Sequence, residues 1–95
     1  MKIELNEKTY IAPPAKAKMF RRALVITKEY DLENITADTL DELLQFVVEV
    51  FGEKFTIEDI YEYHLSGDLI GLVSETIQFV VNPKGQSDGE DDKKK

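Results

Sequence analysis

The first residues of the chain alternate between apolar and polar side chains. Ile3 and Leu5 alternate with the charged residues Lys2 and Glu4, a period of two that is typical of a half-buried β-strand. A second short apolar stretch ends at Ile11, so the pattern predicts a β-hairpin over residues 2–11. Because a lone two-stranded hairpin is marginally stable in water, we expect it to pack on helices or to pair with another strand.

From Pro14 onward, apolar residues recur at helical spacing in four segments. Proline, threonine and glycine residues at their ends supply the usual start and stop signals. The spacing predicts helices over residues 14–30, over 37–51, between Thr56 and Gly67, and over 68–81. The apolar stripe of the third helix consists of Ile57, Ile60, Tyr61, His64 and Leu65. The predicted fold is mainly α, a small bundle of about four helices preceded by a short N-terminal β-hairpin.

The last dozen residues differ in composition from the rest of the chain. Residues 84–95 contain no large apolar side chain, and burial cannot offset the entropy cost of ordering them. We therefore expect residues 1–83 to form a single helical domain and residues 84–95 to be a disordered, flexible charged tail.

The second and fourth predicted helices are apolar over roughly 200° of their circumference, about twice the width of an ordinary core-facing stripe. Either both helices are central, or some of their apolar residues remain outside the monomer core. The residues that we expect outside are Phe46 and Phe79 first, then Ile70 and Val81. The alternative is a compact bundle that buries all of them.

The first predicted helix has one apolar and one basic side. The apolar side, which we expect to face the core, consists of Ala17, Met19, Phe20, Ala23, Leu24, Ile26, Thr27 and Tyr30. The opposite side carries Lys18, Arg21, Arg22 and Lys28 around Val25. This basic side is either a docking surface for an acidic partner or an ordinary solvated helix face.

Charge is sorted along the chain. Residues 1–30 contain seven basic and three acidic residues, a net charge of +4, whereas residues 31–83 contain one basic and twelve acidic residues, a net charge of −11. Such a distribution favours docking of basic on acidic surfaces, between copies or with a partner. The total charge of −7 argues against binding to nucleic-acid phosphates.

The sequence offers no recognisable catalytic or metal-binding constellation. It has no cysteine, which excludes thiol chemistry and fits a reducing, cytosolic compartment. His64 is the only histidine, no triad motif surrounds it, and a place on the buried edge of the third helix is the better interpretation. Neither a calcium-binding loop nor a phosphate-binding glycine motif occurs. We expect no enzymatic activity, no cofactor, no metal and no membrane span.

Several segments together resemble a known family. They are the amino-terminal Lys2-Ile-Glu-Leu-Asn, a basic helix ending in Ile26-Thr27, the run from Asp41 to Gly52, and Phe55-Thr-Ile-Glu-Asp59. Over roughly residues 1 to 82 the chain is similar to the tail assembly chaperones of long-tailed, siphovirus-type bacteriophages and prophages. One departure is Glu7, where similar chains often have glycine after asparagine.

The resemblance implies a non-enzymatic protein of the host bacterial cytoplasm that is absent from the mature virion. Such chaperones are thought to coat the long helical tape measure protein, keep it soluble, and recruit tail tube subunits. Many occur as the short form of a frameshifted pair. Lys93, Lys94 and Lys95 fit either a slippery adenine run at that frameshift or a solubilising tail.

The residues also allow a different class of function. The segment of net charge −11 is suited to an acidic regulator that mimics nucleic acid and binds a host basic or DNA-binding protein. Tape measure binding remains the leading prediction, because it also uses the surplus apolar surface.

Overall fold

The computed structural model of the chain describes residues 1–82, and the tail predicted at 84–95 lies outside the described residues. Two strands are followed by four α-helices in the described part of the chain. The elements are β1 (Lys2–Leu5), β2 (Lys8–Ile11), α1 (Ala17–Glu29), α2 (Ala37–Val50), α3 (Ile57–Tyr63) and α4 (Leu69–Val81), with a 3-10 turn at Ser66–Asp68 before α4. The predicted mainly α fold with an N-terminal hairpin is confirmed.

The hairpin is closed by a two-residue turn. β1 and β2 pair antiparallel, with Leu5 opposite Lys8 on either side of the turn. Asn6 and Glu7 both have positive φ angles, 52° and 66°. Positive φ at both central positions is the signature of a type I′ turn, in which glycine is favoured at the second position. The turn forms with Glu7 there, and burial of Ile3 and Leu5 against the helices offsets the local cost.

The ends of the helices follow local capping signals. Thr36 accepts a hydrogen bond from the Thr39 N–H at the start of α2, and Thr56 and Asp59 form a reciprocal capping box at the start of α3. Helix α2 ends at Val50, and Gly52 with positive φ lies just past its end; the Glu53 N–H donates to the Val48 carbonyl at 2.9 Å, the bond of a Schellman motif. These features confirm the predicted starts of α2 and α3.

Two predicted boundaries are wrong. Helix α1 begins at Ala17 rather than Pro14, because the backbone at Lys16 is extended and its side chain makes no capping hydrogen bond. Helix α3 ends at Tyr63, with His64 already extended, so Leu65 lies beyond the helix instead of on its buried stripe. Leu65 is 72% exposed, and Tyr61, also predicted on that stripe, is exposed.

Helix α2 is the centre of the core. It packs against α1, α3 and α4, and six of its residues are buried. Phe46 is among them and is fully buried, so the expectation that it lies outside the monomer core is wrong. The physical reason is that α1, α3 and α4 together cover the wide apolar side of α2 and leave only its acidic side to water. Tyr10 and Phe51 each contact the Phe55 ring, at centroid distances of 5.0 and 5.4 Å, and extend the core under the hairpin.

Candidate partner-binding surface

Helix α1 leaves part of its apolar side uncovered. Of the residues predicted to face the core, only Ala23 and Ile26 are buried. Phe20 is 43% exposed and Leu24 is 52% exposed, and Thr27 is exposed beside them. The prediction that these three residues face the core is therefore wrong, and it is also wrong for Ala17, which is exposed at the start of α1. Phe20 and Leu24 are one helical turn apart and together form a surface that we name the α1 flank.

The direction of the α1 flank follows from the position of Arg22. The Arg22 guanidinium forms an ion pair with Glu49, so the Arg22 side of α1 faces α2. At 100° per residue, Phe20 and Leu24 each lie roughly 160° around the helix from Arg22. The α1 flank therefore points away from α2, which leaves its side chains outside the contacts that bury the centre of the bundle.

The basic residues of α1 divide into two groups. Arg22 is half-buried: besides its ion pair with Glu49, its guanidinium lies 5.9 Å from the centroid of the Phe46 ring. Glu49 also accepts a hydrogen bond from the Gln45 side-chain amide at 3.1 Å. Arg22 is thus paired within the molecule while its side chain stays partly exposed, and its role in partner binding remains a prediction.

Lys18, Arg21 and Lys28 are exposed, and Val25 is half-buried between them. Arg21 and Lys28 lie three residues before and four residues after Leu24, so they border the α1 flank on the helix surface. The result is an apolar surface with a basic rim. The participation of these residues in partner binding remains a prediction.

The apolar residues predicted outside the core on α4 have mixed outcomes. Ile70 is 42% exposed, as expected of a residue outside the core. Phe79 and Val81 are partly buried and pack against the core. Helix α4 therefore keeps a smaller apolar surface than the sequence indicates, because α1 and α2 both pack on it. A binding role for these three residues is likewise a prediction.

Two tyrosine hydroxyls donate hydrogen bonds to acidic residues of α2. The Tyr30 hydroxyl donates to Glu42, and the Tyr61 hydroxyl donates to Asp41. Desolvation and the Asp41 hydrogen bond raise the pKa of Tyr61 to about 12, while the Glu42 hydrogen bond is the main cause of a raised pKa for Tyr30. These bonds attach the end of α1 and helix α3 to α2 and leave other acidic groups facing water.

The loop after α1 adds a further local contact. The Asp31 carboxylate accepts hydrogen bonds from the Asn34 side chain and from the Glu33 N–H, both at 2.9 Å. The Asn34 hydrogen bond, followed by that of Glu33, lowers the pKa of Asp31. The arrangement fixes the turn into α2 and creates no reactive group.

Within residues 1–82, no group of histidine and acidic side chains is arranged to hold a metal ion, and no helix is long and apolar enough to cross a membrane. His64 is half-buried, and its Nδ1 lies 3.1 Å from the Leu65 carbonyl oxygen.

Sequence reasoning missed two strongly exposed apolar residues, Ile11 and Leu65, which are 71% and 72% exposed. Period-two alternation placed Ile11 in a strand but did not show that its face is open to solvent. For Leu65 the helical pattern was extended past the true end of α3. A usable signal was the proximity of Leu65 to Gly67, since helices end near glycine.

Comparison with known proteins gives one match. A family model described as "Phage tail chaperone protein" matches residues 1–95. No curated protein and no solved structure matches the chain.

Proposed function

Because the chain belongs to the phage tail chaperone family, we propose that it binds the tape measure protein of its phage, keeps that protein soluble, and helps to recruit tail tube subunits during tail assembly. The observation that carries the proposal is the α1 flank. Its two large apolar side chains are about half exposed and lie one helical turn apart on the same helix surface.

A helical client fits this surface. An amphipathic helix docks by laying its apolar stripe, with residues repeating every three or four positions, against an apolar surface of matching length. Phe20 and Leu24 have that spacing, and exposed Ile70 on α4 is a further apolar contact for a long client. Covering the client's apolar stripe removes the surface through which it aggregates.

Charge supports the proposal that the chaperone keeps the tape measure protein soluble. The exposed acidic residues of α2 and α3 face water and give a bound complex the net negative charge that favours solubility. Arg21 and Lys28, which form the basic rim of the α1 flank, and Lys18 on the same helix then contact acidic groups of the client or of another copy of the chaperone.

The test is co-expression with the tape measure protein from the same genome. Wild-type chaperone should increase the soluble fraction of the tape measure protein and co-purify with it. The double variant Phe20→Ser/Leu24→Ser should lose this effect by about tenfold, because a few buried apolar side chains carry most of the energy of an interface. Unchanged aggregation with wild-type chaperone would contradict the proposal.

A control removes an exposed apolar side chain elsewhere. Ile11→Ser changes a residue that is more exposed than either residue of the α1 flank. Under the proposal this variant keeps the tape measure protein soluble. A loss in Ile11→Ser equal to that in the double variant would show that general surface hydrophobicity, and not the α1 flank, is responsible.

We also propose that copies of the chain associate with one another. The separation of +4 and −11 segments favours head-to-tail contacts between copies. Sedimentation should show oligomers that weaken with added salt, and Arg21→Glu should weaken them further. Salt-independent oligomers would instead indicate contacts through apolar surfaces.

The alternative of an acidic regulator is favoured by one observation, the exposed carboxylates along α2 and α3, among them Asp38, Glu58 and Glu62. It requires capture of a basic host protein from a lysate by wild-type chain. Loss of that capture on neutralising the three carboxylates, with tape measure binding absent, would establish the alternative over the main proposal.

A further inference from the structure

An open groove runs along β1 on the side away from β2. The groove, of about 590 Å³, is lined by Lys2, Ile3 and Glu4 together with residues of the α3–α4 connection and of α4. Because successive strand residues point to opposite faces, a groove that touches three consecutive residues lies along the edge of the strand. A neighbouring cavity of about 560 Å³ shares Lys2 and Glu75 with it. The two form one trough between β1 and α4.

The backbone of β1 presents unpaired groups to this trough. Leu5 and Lys8 flank the two-residue turn, so they form a hydrogen-bonded pair, and such pairs alternate along an antiparallel ladder. The 2.9 Å bond from the Ala12 N–H to the Met1 carbonyl agrees with this alternation. The N–H and C=O groups of Lys2 and Glu4 therefore point away from β2. In the described residues, no turn, loop or cap hydrogen bond uses them.

The opposite wall of the trough leaves room for another strand. A Cβ atom placed on Gly67 or Gly71 would have no heavy atom within 4 Å. The apolar part of the wall consists of Leu72, which is buried, and of Leu65, whose side chain is exposed. A strand beside β1 would thus find backbone partners on one side and apolar side chains on the other.

The charge around the trough selects the occupant. Three acidic residues line the trough: Glu4, Asp68 and Glu75. The other charged or polar side chains there include the basic Lys2 and the formally neutral His64. An unpaired strand edge is a template for strand addition, and side-chain pockets give such additions their specificity. We propose that the β1 edge accepts a third strand from a partner protein, an extended segment in which apolar residues alternate with basic ones. This site goes beyond the proposed function, because it takes an extended segment and does not involve the α1 flank.

The first experiment uses a short synthetic peptide that alternates valine and lysine, titrated into isotope-labelled full chain. Backbone amide signals of Lys2, Glu4 and Gly71 should shift most, and amide exchange of Glu4 should slow. A peptide that alternates valine and glutamate should bind at least about tenfold more weakly, because it meets like charge. Absence of binding by the valine–lysine peptide, or shifts centred on Thr9 and Ile11, would overturn the proposal.

A pair of proline variants tests the backbone role. Glu4 and Thr9 lie opposite each other in the hairpin, and the N–H of each points outward, Glu4 toward the trough and Thr9 toward the free edge of β2. Proline at either position removes one outward N–H and keeps the β1–β2 ladder. Glu4→Pro should weaken peptide binding by about tenfold and Thr9→Pro by less than about twofold. Unchanged binding by Glu4→Pro would overturn the proposal.

Two further variants separate charge and folding from backbone pairing. Glu4→Gln removes the carboxylate and keeps the N–H, so it should bind more tightly than Glu4→Pro. Gly71→Met places a side chain in the trough while improving helix propensity, so it should raise Tm and still weaken the peptide. If Thr9→Pro disturbs the hairpin, Gly71→Met decides the question, and full binding by that variant overturns the proposal. None of these variants alters the α1 flank, so their outcome is independent of tape measure binding.

Discussion

Helix α2 buries apolar side chains around most of its circumference, whereas α1 has a narrower apolar side and leaves Phe20 and Leu24 exposed. The width of an apolar face therefore does not predict which helix keeps apolar surface. What differs is the number of neighbours: α2 packs against three helices, and α1 packs on α2 and α4. A peripheral helix with a moderate stripe is left with more surface for a partner than a central helix with a wide one.

The largest expected effect on stability comes from truncating a buried side chain at the centre of the core. Phe46→Ala removes a fully buried ring from α2 and should destabilise the domain by about 3–5 kcal/mol. Phe20→Ala, the same truncation on α1, should cost less than about 1 kcal/mol, since the ring is already half in water. Urea unfolding followed by circular dichroism measures both. Equal losses in the two variants would remove the distinction between the central and the peripheral helix.

A smaller effect is expected where the two helices meet. Arg22→Ala removes the half-exposed ion pair with Glu49 and the contact with the Phe46 ring, and should cost about 1 kcal/mol. Arg21→Ala, its exposed neighbour, should change stability by less than about 0.5 kcal/mol. Both are read from urea midpoints at low and high salt, and the Arg22 effect should shrink with salt. Equal effects would mean that the ion pair does not join α1 to α2.

The pH dependence of stability tests whether the hydrogen bond from Tyr61 to Asp41 attaches α3 to α2. The pKa of Tyr61 is raised from 10.0 to about 12, so the folded state holds this proton more tightly than the unfolded state does. The resulting stabilisation is fully present below about pH 10 and is lost as pH rises toward about 12. The amount by which the free energy of unfolding of wild type exceeds that of Tyr61→Phe should therefore decrease between about pH 10 and about pH 12.

Tyr63→Phe is the control for the pH experiment, because Tyr63 lies on the same helix and is as exposed as Tyr61, while the hydroxyl bond to Asp41 belongs to Tyr61. Urea midpoints of the three proteins, measured at intervals up to about pH 12, provide the comparison. A Tyr61→Phe difference that stays constant through the window would show that its hydroxyl bond to Asp41 does not couple α3 to α2.

The smallest expected effect is on the α1 flank itself. Leu24→Ser should change the free energy of unfolding by less than about 0.5 kcal/mol, since Leu24 is 52% exposed and lies outside the core. The same variant should nevertheless weaken tape measure binding under the proposed function. Differential scanning calorimetry measures the first quantity. A large loss of stability would place Leu24 in the core and leave α1 without surplus apolar surface.

The sequence by itself determined the order of elements and several of their ends. The capping pair Thr56 and Asp59 and the stop signal of Gly52, just past the end of α2, were both predictable. Each depends on hydrogen bonds or backbone angles within a few residues, so local sequence contains the whole interaction. The hairpin was predictable for the same reason, because alternation fixes the face of every strand residue.

Only the tertiary structure decided which apolar residues remain exposed and where charges are used. Phe46 is buried and Leu24 is not, although both belong to apolar sides of helices. Arg22 pairs with Glu49, 27 positions away. Helical periodicity gives the direction of a side chain relative to its own axis, but burial depends on how many other helices lie in that direction. That arrangement is a property of the packed bundle, and no single segment contains it.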